Sequence, residues 1–265
     1  MSSTSKNGTP MDLDLAYQNS IFIKDGDLFV ERWKKAAANF RADEGGLMQF
    51  ITSDMGLGID LFQPVGVAKG CFTFIHGGYW MKFSPRDFSH LAKGALARGW
   101  AVAMPFYDLA PKASLGRMAL QIESALRALT ALDLGPMVVS GHSAGGHLAA
   151  RMACTDIHVP MQRVVPISPL SDLEQIAQTD MNKTLGLNPL QVATQSPAHL
   201  AKHPNIDAHV WVGGIERPAF LWQARLLSEA WDCDWTVVRG RHHFDVIEDL
   251  TDPQSDFMNI CLGGL

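Results

Sequence analysis

The 265-residue chain predicts an α/β fold, a doubly wound and mostly parallel sheet with helices on both faces. Three observations predict it. From residue 71 onward, short runs rich in Val, Ile and Phe recur: CFTFIH (71–76), WAVAMPFY (100–107), MVVSGH (137–142), RVVPIS (163–168), AHVWVGG (208–214) and DWTVVRG (234–240). Amphipathic stretches near 86–98, 114–133, 145–154 and 218–231 alternate with them. The runs are apolar on both faces, as strands covered from both sides must be, and right-handed crossovers then fix the winding.

The elements follow in chain order. The first twenty residues, MSSTSKNGTPMDLDLAYQNS, are polar and are read as a flexible tail. They contain no apolar core of a secretory signal, so a cytoplasmic location is expected. No later stretch approaches the roughly 20 apolar residues that span a bilayer, so no membrane partner is expected. Residues 29–41 carry Phe29, Trp33, Ala36, Ala37 and Phe40 at helical spacing and predict a surface helix. Residues 47–63 place turn residues between short apolar runs, as in a weak strand or hairpin. The six strands and their helices follow. One interval is too long for a simple crossover: about forty residues separate Ser168 from His209, with Asn-Pro and Ser-Pro breakers between short helical pieces. Residues 169–207 are therefore read as a lid on a single domain spanning 21–265.

Composition narrows the partners. The chain is 47% hydrophobic and 18% charged, with a net charge of −5, so it can bury a large core and carries no basic footprint for nucleic acid. Cys71, Cys154, Cys233 and Cys261 lie far apart, a pattern that argues against a disulfide framework or zinc site and for a reducing compartment. No metal or organic cofactor is expected. A small-molecule partner is expected, and a homodimer is left open.

The chemistry is carried by the strand MVVSGH, which runs into Ser143 and the helical stretch AGGHLAARMA. Gly141, Ser143 and Gly145 form G-x-S-x-G at a strand–turn–helix junction, the context in which a serine is exposed on a strained turn over a helix N-terminus. The five-residue pattern alone is common enough to arise by accident; its position in the middle of a parallel sheet is the stronger signal. A serine nucleophile needs a base. His90 and His147 fall within helical stretches, and His158, His199, His203 and His209 in connections or at a strand start. His242 and His243 follow the last strand and would reach the same sheet edge. His243 is the first choice and His242 the reserve, since two neighbours cannot both face Ser143. The acid should follow AHVWVGG, and the first carboxylate there is Glu216. Its alternative role is a helix N-terminal carboxylate ahead of Pro218.

Together HGGYW (76–80), FYDLAP (106–111), GHSAGG (141–146), PISPLSDL (166–173) and HHFDVIE (242–248) resemble the α/β-hydrolase superfamily. More narrowly they resemble its kynurenine formamidase (arylformamidase) branch and the related hormone-sensitive-lipase-like esterases. The resemblance implies an α/β-hydrolase fold in which the backbone N–H groups of Gly77, Gly78 and Ala144 form an oxyanion hole. It also implies a triad of Ser143, His243 and Glu216 working through an acyl-enzyme without a cofactor. The lipase-like esterases usually have a third glycine where this chain has Tyr79, whereas H-G-G-x-W with Trp80 is the formamidase pattern. The family acid is usually Asp, and here it is Glu216. Tyr79 and Trp80, with lid residues such as Met181 or Leu185, are expected to wall a pocket for an aryl group; the alternative is that Trp80 packs beneath the lid. The expected activity is hydrolysis of a small acyl amide of N-formylkynurenine type. The alternatives are a carboxylesterase or thioesterase, and a non-catalytic receptor on the same fold.

Overall fold

A computed structural model describes residues 12–44 and 48–265. One eight-stranded sheet runs through it: β1 (Met48–Thr52), β2 (Gly58–Phe62), β3 (Cys71–Ile75), β4 (Ala101–Pro105), β5 (Met137–His142), β6 (Arg163–Ile167), β7 (Asp207–Gly213) and β8 (Asp234–Val238). The spatial order is β1-β2-β4-β3-β5-β6-β7-β8. β2 runs antiparallel to β1 and β4, and the other neighbours are parallel. The six apolar runs of the sequence are thus the six parallel strands, and the weak hairpin is the antiparallel edge. The helices are α1 (Leu13–Ala16), α2 (Gly26–Glu44), α3 (Lys93–Ala97), α4 (Leu115–Thr130), α5 (Ala144–Met152), α6 (Asn182–Leu185), α7 (Pro189–Gln195), α8 (Pro218–Trp231) and α9 (Asp256–Leu262).

Side chains alternate across the pleat and fill two separate cores. Cys71, Ile75, Val139, Val164, Val210 and Val212 face α4, α5 and α8. Phe72, Phe74, Val138, Val165, Ile167 and Trp211 face α2, α3 and α9. Because β3 lies between β4 and β5, the chain winds outward from β3 to β4 and then returns to β5 on the opposite side. The loops after β3 and β5 therefore diverge and leave a crevice at the C-terminal ends of the strands, where α/β folds of this kind bind ligands. α5 crosses this point so closely that a Cβ on Gly145 would collide with the carbonyl oxygens of Ile75 and His76.

Two expectations need correction. Residues 12–20 are not a tail, although residues 1–11 lie outside the described part. Asp12 caps α1 by accepting from the Leu15 N–H (3.1 Å), and Tyr17 is buried, its hydroxyl donating to Gln175 Oε1 (2.7 Å) and accepting from Gln223 Nε2 (2.9 Å). A single buried aromatic with two hydrogen-bond partners fixes a stretch whose average composition is polar. Residues 86–98 do not form one helix. Two 3₁₀ turns, Pro85–Asp87 and Ser89–Ala92, precede the short α3, with Ser84 and Asp87 forming a capping box at the first.

The segment after β6 carries a 3₁₀ turn (Ile176–Gln178), α6, α7 and a second 3₁₀ turn (Pro197–His199). It is tied to the α5 and α8 side of the sheet: the Gln195 carbonyl accepts from His147 Nε2 (2.7 Å), and the Pro197 carbonyl accepts from Trp231 Nε1 (3.2 Å).

The contact at Gly145 makes a direct prediction. Gly145→Ala must push α5 off β3 against backbone atoms that cannot rotate away, so the variant should lose soluble folded yield or unfold at a markedly lower temperature. Gly116→Ala is the control. Its Cβ would meet nothing closer than Gln195 Nε2 at 3.6 Å, and as the second residue of α4 it should gain up to about 0.5 kcal/mol, less than in a helix interior. Thermal unfolding of the two variants checks both signs.

Candidate active site

Strand β5 delivers Ser143 to the crevice in a backbone conformation that L-residues rarely adopt, φ 57° and ψ −116°. Its own peptide groups hold it there. The Ser143 N–H donates to the Ile167 carbonyl (2.8 Å), and its carbonyl accepts from the His147 N–H (2.9 Å). The strand cannot continue because α5 begins at the next residue, and the tight α5–β3 packing leaves the connection no room to relax. The Ser143 side chain thus lies at the N-terminus of α5, where the partial positive charge of the helix favours an anion.

The loop after β3 meets this turn. A Cβ on Gly77 would lie 2.8 Å from the His142 carbonyl oxygen and 3.3 Å from the Ser143 Cβ, so only glycine lets the two backbones come this close. His76 Nδ1 lies 2.8 Å from the Gly77 carbonyl oxygen, which can only accept, so this nitrogen carries the proton. That carbonyl shares a rigid peptide plane with the Gly78 N–H, which is thereby aimed the opposite way. His76 is itself stacked on Tyr107 at 4.4 Å. Among the described residues, the N–H groups of Gly77, Gly78 and Ala144 donate to no protein acceptor.

Two later loops supply a buried acid–imidazole pair. Glu216 follows β7 and His243 follows β8, and Glu216 Oε2 lies 2.6 Å from His243 Nδ1 with both side chains almost fully buried. The other carboxylate oxygen accepts from the Gly213 N–H (2.8 Å) and from the Ser168 hydroxyl. Ser168 lies within PISPLSDL, but nothing in that motif gives it a role. Its backbone is also left-handed, with φ 47°. His243 packs against Phe220 (4.2 Å between ring centres) and His142 (4.6 Å). His242, the reserve choice, turns away: its Nδ1 accepts from the N–H groups of Phe244 (3.1 Å) and Asp245 (3.2 Å), and its ring lies on Phe29. The structure therefore brings Ser143, Glu216, His243 and the Gly77–Gly78 loop to one sheet edge and leaves His242 outside.

Ser143, His142, His243, Gly77 and Gly78 line one cavity of about 430 Å³. Its walls correct the expected pocket. Tyr79 lines the cavity and Trp80 does not. Trp80 is fully buried, and its Nε1 donates to His147 Nδ1 (3.3 Å). At φ 54° and 58° the two residues form a left-handed turn in which Tyr79 faces the cavity and Trp80 the core. Met181 lines the cavity, whereas Leu185 is buried in the core beneath it. The aromatic walls come instead from Trp33, Phe83, Phe88 and Phe244, and the cover from the α1–α2 region through Tyr17, Asn19 and Val30. Apart from Phe244, which lies in HHFDVIE, these residues carry no motif; only their place in the fold reveals them. His142 was also missed, although its place beside Ser143 in G-H-S was visible.

The likeness to known proteins fits this geometry. A family model described as the α/β hydrolase fold matches residues 72–203. A crystal structure of a provisionally assigned thioesterase from Silicibacter sp. TM1040 is 42% identical, with a TM-score of 0.90 over 95% of this chain and 99% of that one. The chain belongs to the α/β-hydrolase family. The hydrolase is also 24% identical over 209 residues to a kynurenine formamidase of Drosophila melanogaster, covering 70% of this chain and 69% of the fly protein. A kynurenine formamidase of Salmo salar is 26% identical over 214 residues, covering 73% of each. The propionate-bound esterase of Thermogutta terrifontis, at 18% identity and a TM-score of 0.66 over 83% of this chain and 96% of its own, shares the fold. No helix among the described residues is long and apolar enough to cross a membrane. Nor does any group of three or more His, Cys, Asp and Glu there stand ready for a metal ion.

Burial sets the charge state of the histidines around the α/β-hydrolase site. It lowers His76 and His90 to about 4 and His147 to about 3. It holds His142 well below 6.5, with the neighbouring His243 adding to the shift. In the unfolded chain these imidazoles protonate near pH 6.5. Between that pH and their folded values the unfolded state binds more protons. Stability is therefore fully present above about pH 6.5 and is lost as the pH falls. The urea midpoint should drop steeply from pH 7 to pH 5, and His147→Gln should flatten part of that slope; a midpoint constant over this range contradicts it.

Proposed function

We propose that this α/β-hydrolase is a serine hydrolase that cleaves a small acyl group from an aryl amine, an arylformamidase-type reaction on substrates like N-formylkynurenine. The observation that carries the reading is the buried His243–Glu216 pair opening on the same cavity as the strained Ser143. With Nδ1 committed to Glu216, His243 offers Nε2 to the cavity, the tautomer a general base requires. Ser143 Oγ attacks the substrate carbonyl while His243 Nε2 takes its proton. The carbonyl electron pair moves onto oxygen, facing the N–H groups of Gly77, Gly78 and Ala144. As the tetrahedral intermediate collapses, the C–N bond breaks and the aryl amine leaves with the proton from His243. Water then repeats the sequence on the acyl-enzyme, releasing the acid and restoring the Ser143 hydroxyl.

The kynurenine formamidase names of the fly and salmon relatives support the amide, and the ring of Trp33, Phe83, Phe88 and Phe244 supports an aryl leaving group. Carboxylester or thioester hydrolysis is the second reading, favoured by the Silicibacter structure. Against a polyanionic acyl-CoA stand Asp14, Asp27 and Asp180 on the cavity wall, with Lys82 the one wall cation among the described residues.

A substrate panel tests the assignment. N-formylkynurenine should be turned over with a higher kcat/KM than p-nitrophenyl acetate or acetyl-CoA. A roughly hundredfold preference for either ester, close to 3 kcal/mol of transition-state binding, would reject the formamidase reading and keep the triad. Ser143→Ala and His243→Ala should each cost several orders of magnitude in kcat, whereas His242→Ala should leave most activity. Glu216→Gln should cost about 10²–10⁴ by misdirecting the imidazole proton, and Glu216→Asp less.

A further inference from the structure

The turn that follows the proposed oxyanion loop is strained at Tyr79 and Trp80 and again at Phe83. Gly78 has φ 108°, Tyr79 54°, Trp80 58° and Phe83 74°. Non-glycine residues in this region are strained and persist only where their surroundings hold them. On the core side the turn is held by the Trp80 indole on His147 (3.3 Å) and by the Ala110 N–H on the Trp80 carbonyl (2.8 Å). On the opposite side it is held by the Tyr79 hydroxyl, which donates to the Tyr17 carbonyl (2.7 Å) and accepts from Asn19 Nδ2 (3.0 Å). Tyr17 and Asn19 belong to the α1 region that covers the cavity. Tyr17 is in turn bonded to Gln175 and Gln223 and lies edge-on to Phe220, the ring packed on His243.

We propose that Tyr79 is a positioning residue: its hydroxyl latches the N-terminal cover, through Tyr17 and Asn19, to the Gly77–Gly78 loop and so fixes the amide that receives the oxyanion. The inference rests on the serine-hydrolase reading of the site. The latch works through geometry. The Gly78 carbonyl accepts from the N–H groups of both Met81 and Lys82 (3.0 Å each), so the turn moves as a unit. With one side untied, the left-handed residues relax and carry the Gly78 peptide with them. Misplacement by a fraction of an ångström is enough to weaken a donor aimed at a transition state. Ground-state binding is spared, because Phe in place of Tyr79 keeps the ring on the cavity wall.

The test compares Tyr79→Phe, Asn19→Ala and the double variant with the parent and with Ser143→Ala, using the best substrate of the panel. Tyr79→Phe should lower kcat roughly ten- to a hundredfold with KM little changed, and without lowering the unfolding temperature in proportion. Asn19→Ala should lower kcat by less, since the bond to the Tyr17 carbonyl survives. The double variant should be no worse than Tyr79→Phe, because both changes break one latch. Parental kcat in Tyr79→Phe overturns the inference, as does a silent Asn19→Ala, a change confined to KM, or additive losses in the double variant. If Tyr79→Phe does not fold, Asn19→Ala alone decides. An active Ser143→Ala would instead sink the serine-hydrolase reading, and that outcome is separate from any result at Tyr79.

Discussion

The closeness with which α5 crosses β3 and β5 is the constraint on which the site depends. At Gly141 and Gly145 no Cβ can be accommodated, because strand, turn and helix backbones pack directly on one another. The turn between β5 and α5 therefore has one residue in which to reverse direction, and Ser143 takes the left-handed conformation as a result. A strain of about 1–3 kcal/mol at this residue is offset by the two buried cores that clamp the sheet. What the strained turn achieves is access: Ser143 lines the cavity although it is otherwise buried. A serine in ordinary helical or extended geometry at this junction would point along the strand or into α5. The same crossing puts Gly77 against the Ser143 Cβ, so the loop after β3 and the turn after β5 share one geometry.

Around that turn, the loops from β7 and β8 bring ionisable groups into a nearly dry environment. Removing a carboxylate from water is costly unless its oxygens are satisfied. Glu216 is satisfied by the Gly213 N–H, the Ser168 hydroxyl and His243. Its carboxylate is thus fixed by backbone as well as by side chain, and it can fix the imidazole in turn. His142, held neutral by burial, places no positive charge beside His243. Phe220 closes the other side and connects this pair to Tyr17 and hence to the cover. The cover and the acid pair therefore form one packed unit.

The parallel strands were legible because burial on both faces leaves an unmistakable apolar run, as in CFTFIH and MVVSGH. Ser143 stood out because the motif sat where such a run met a helical pattern. Glu216 and His243 followed from chain order, since each comes directly after a strand and so reaches the same sheet edge. Periodicity does not record which way a left-handed turn throws its side chains, so Trp80 on the cavity wall and Trp80 packed beneath the lid were both open, and it lies in the core. Nor does it record burial that comes from tertiary contact: α1 has four residues, too few for a helical period, and Tyr17 is fixed by partners some 160 to 200 positions away. The cover of the cavity was hidden for that reason, in a stretch whose composition reads as a tail.

In the proposed reaction the strained serine is the reacting group, activated by a buried imidazole that the carboxylate orients. Treating the protein with a fluorophosphonate and mapping the adduct by mass spectrometry tests this most directly. One adduct per chain is expected, on Ser143, formed at a rate that falls by orders of magnitude in Glu216→Gln and His243→Ala. An adduct on another residue, or labelling of Ser143 at the parental rate in both variants, would contradict it.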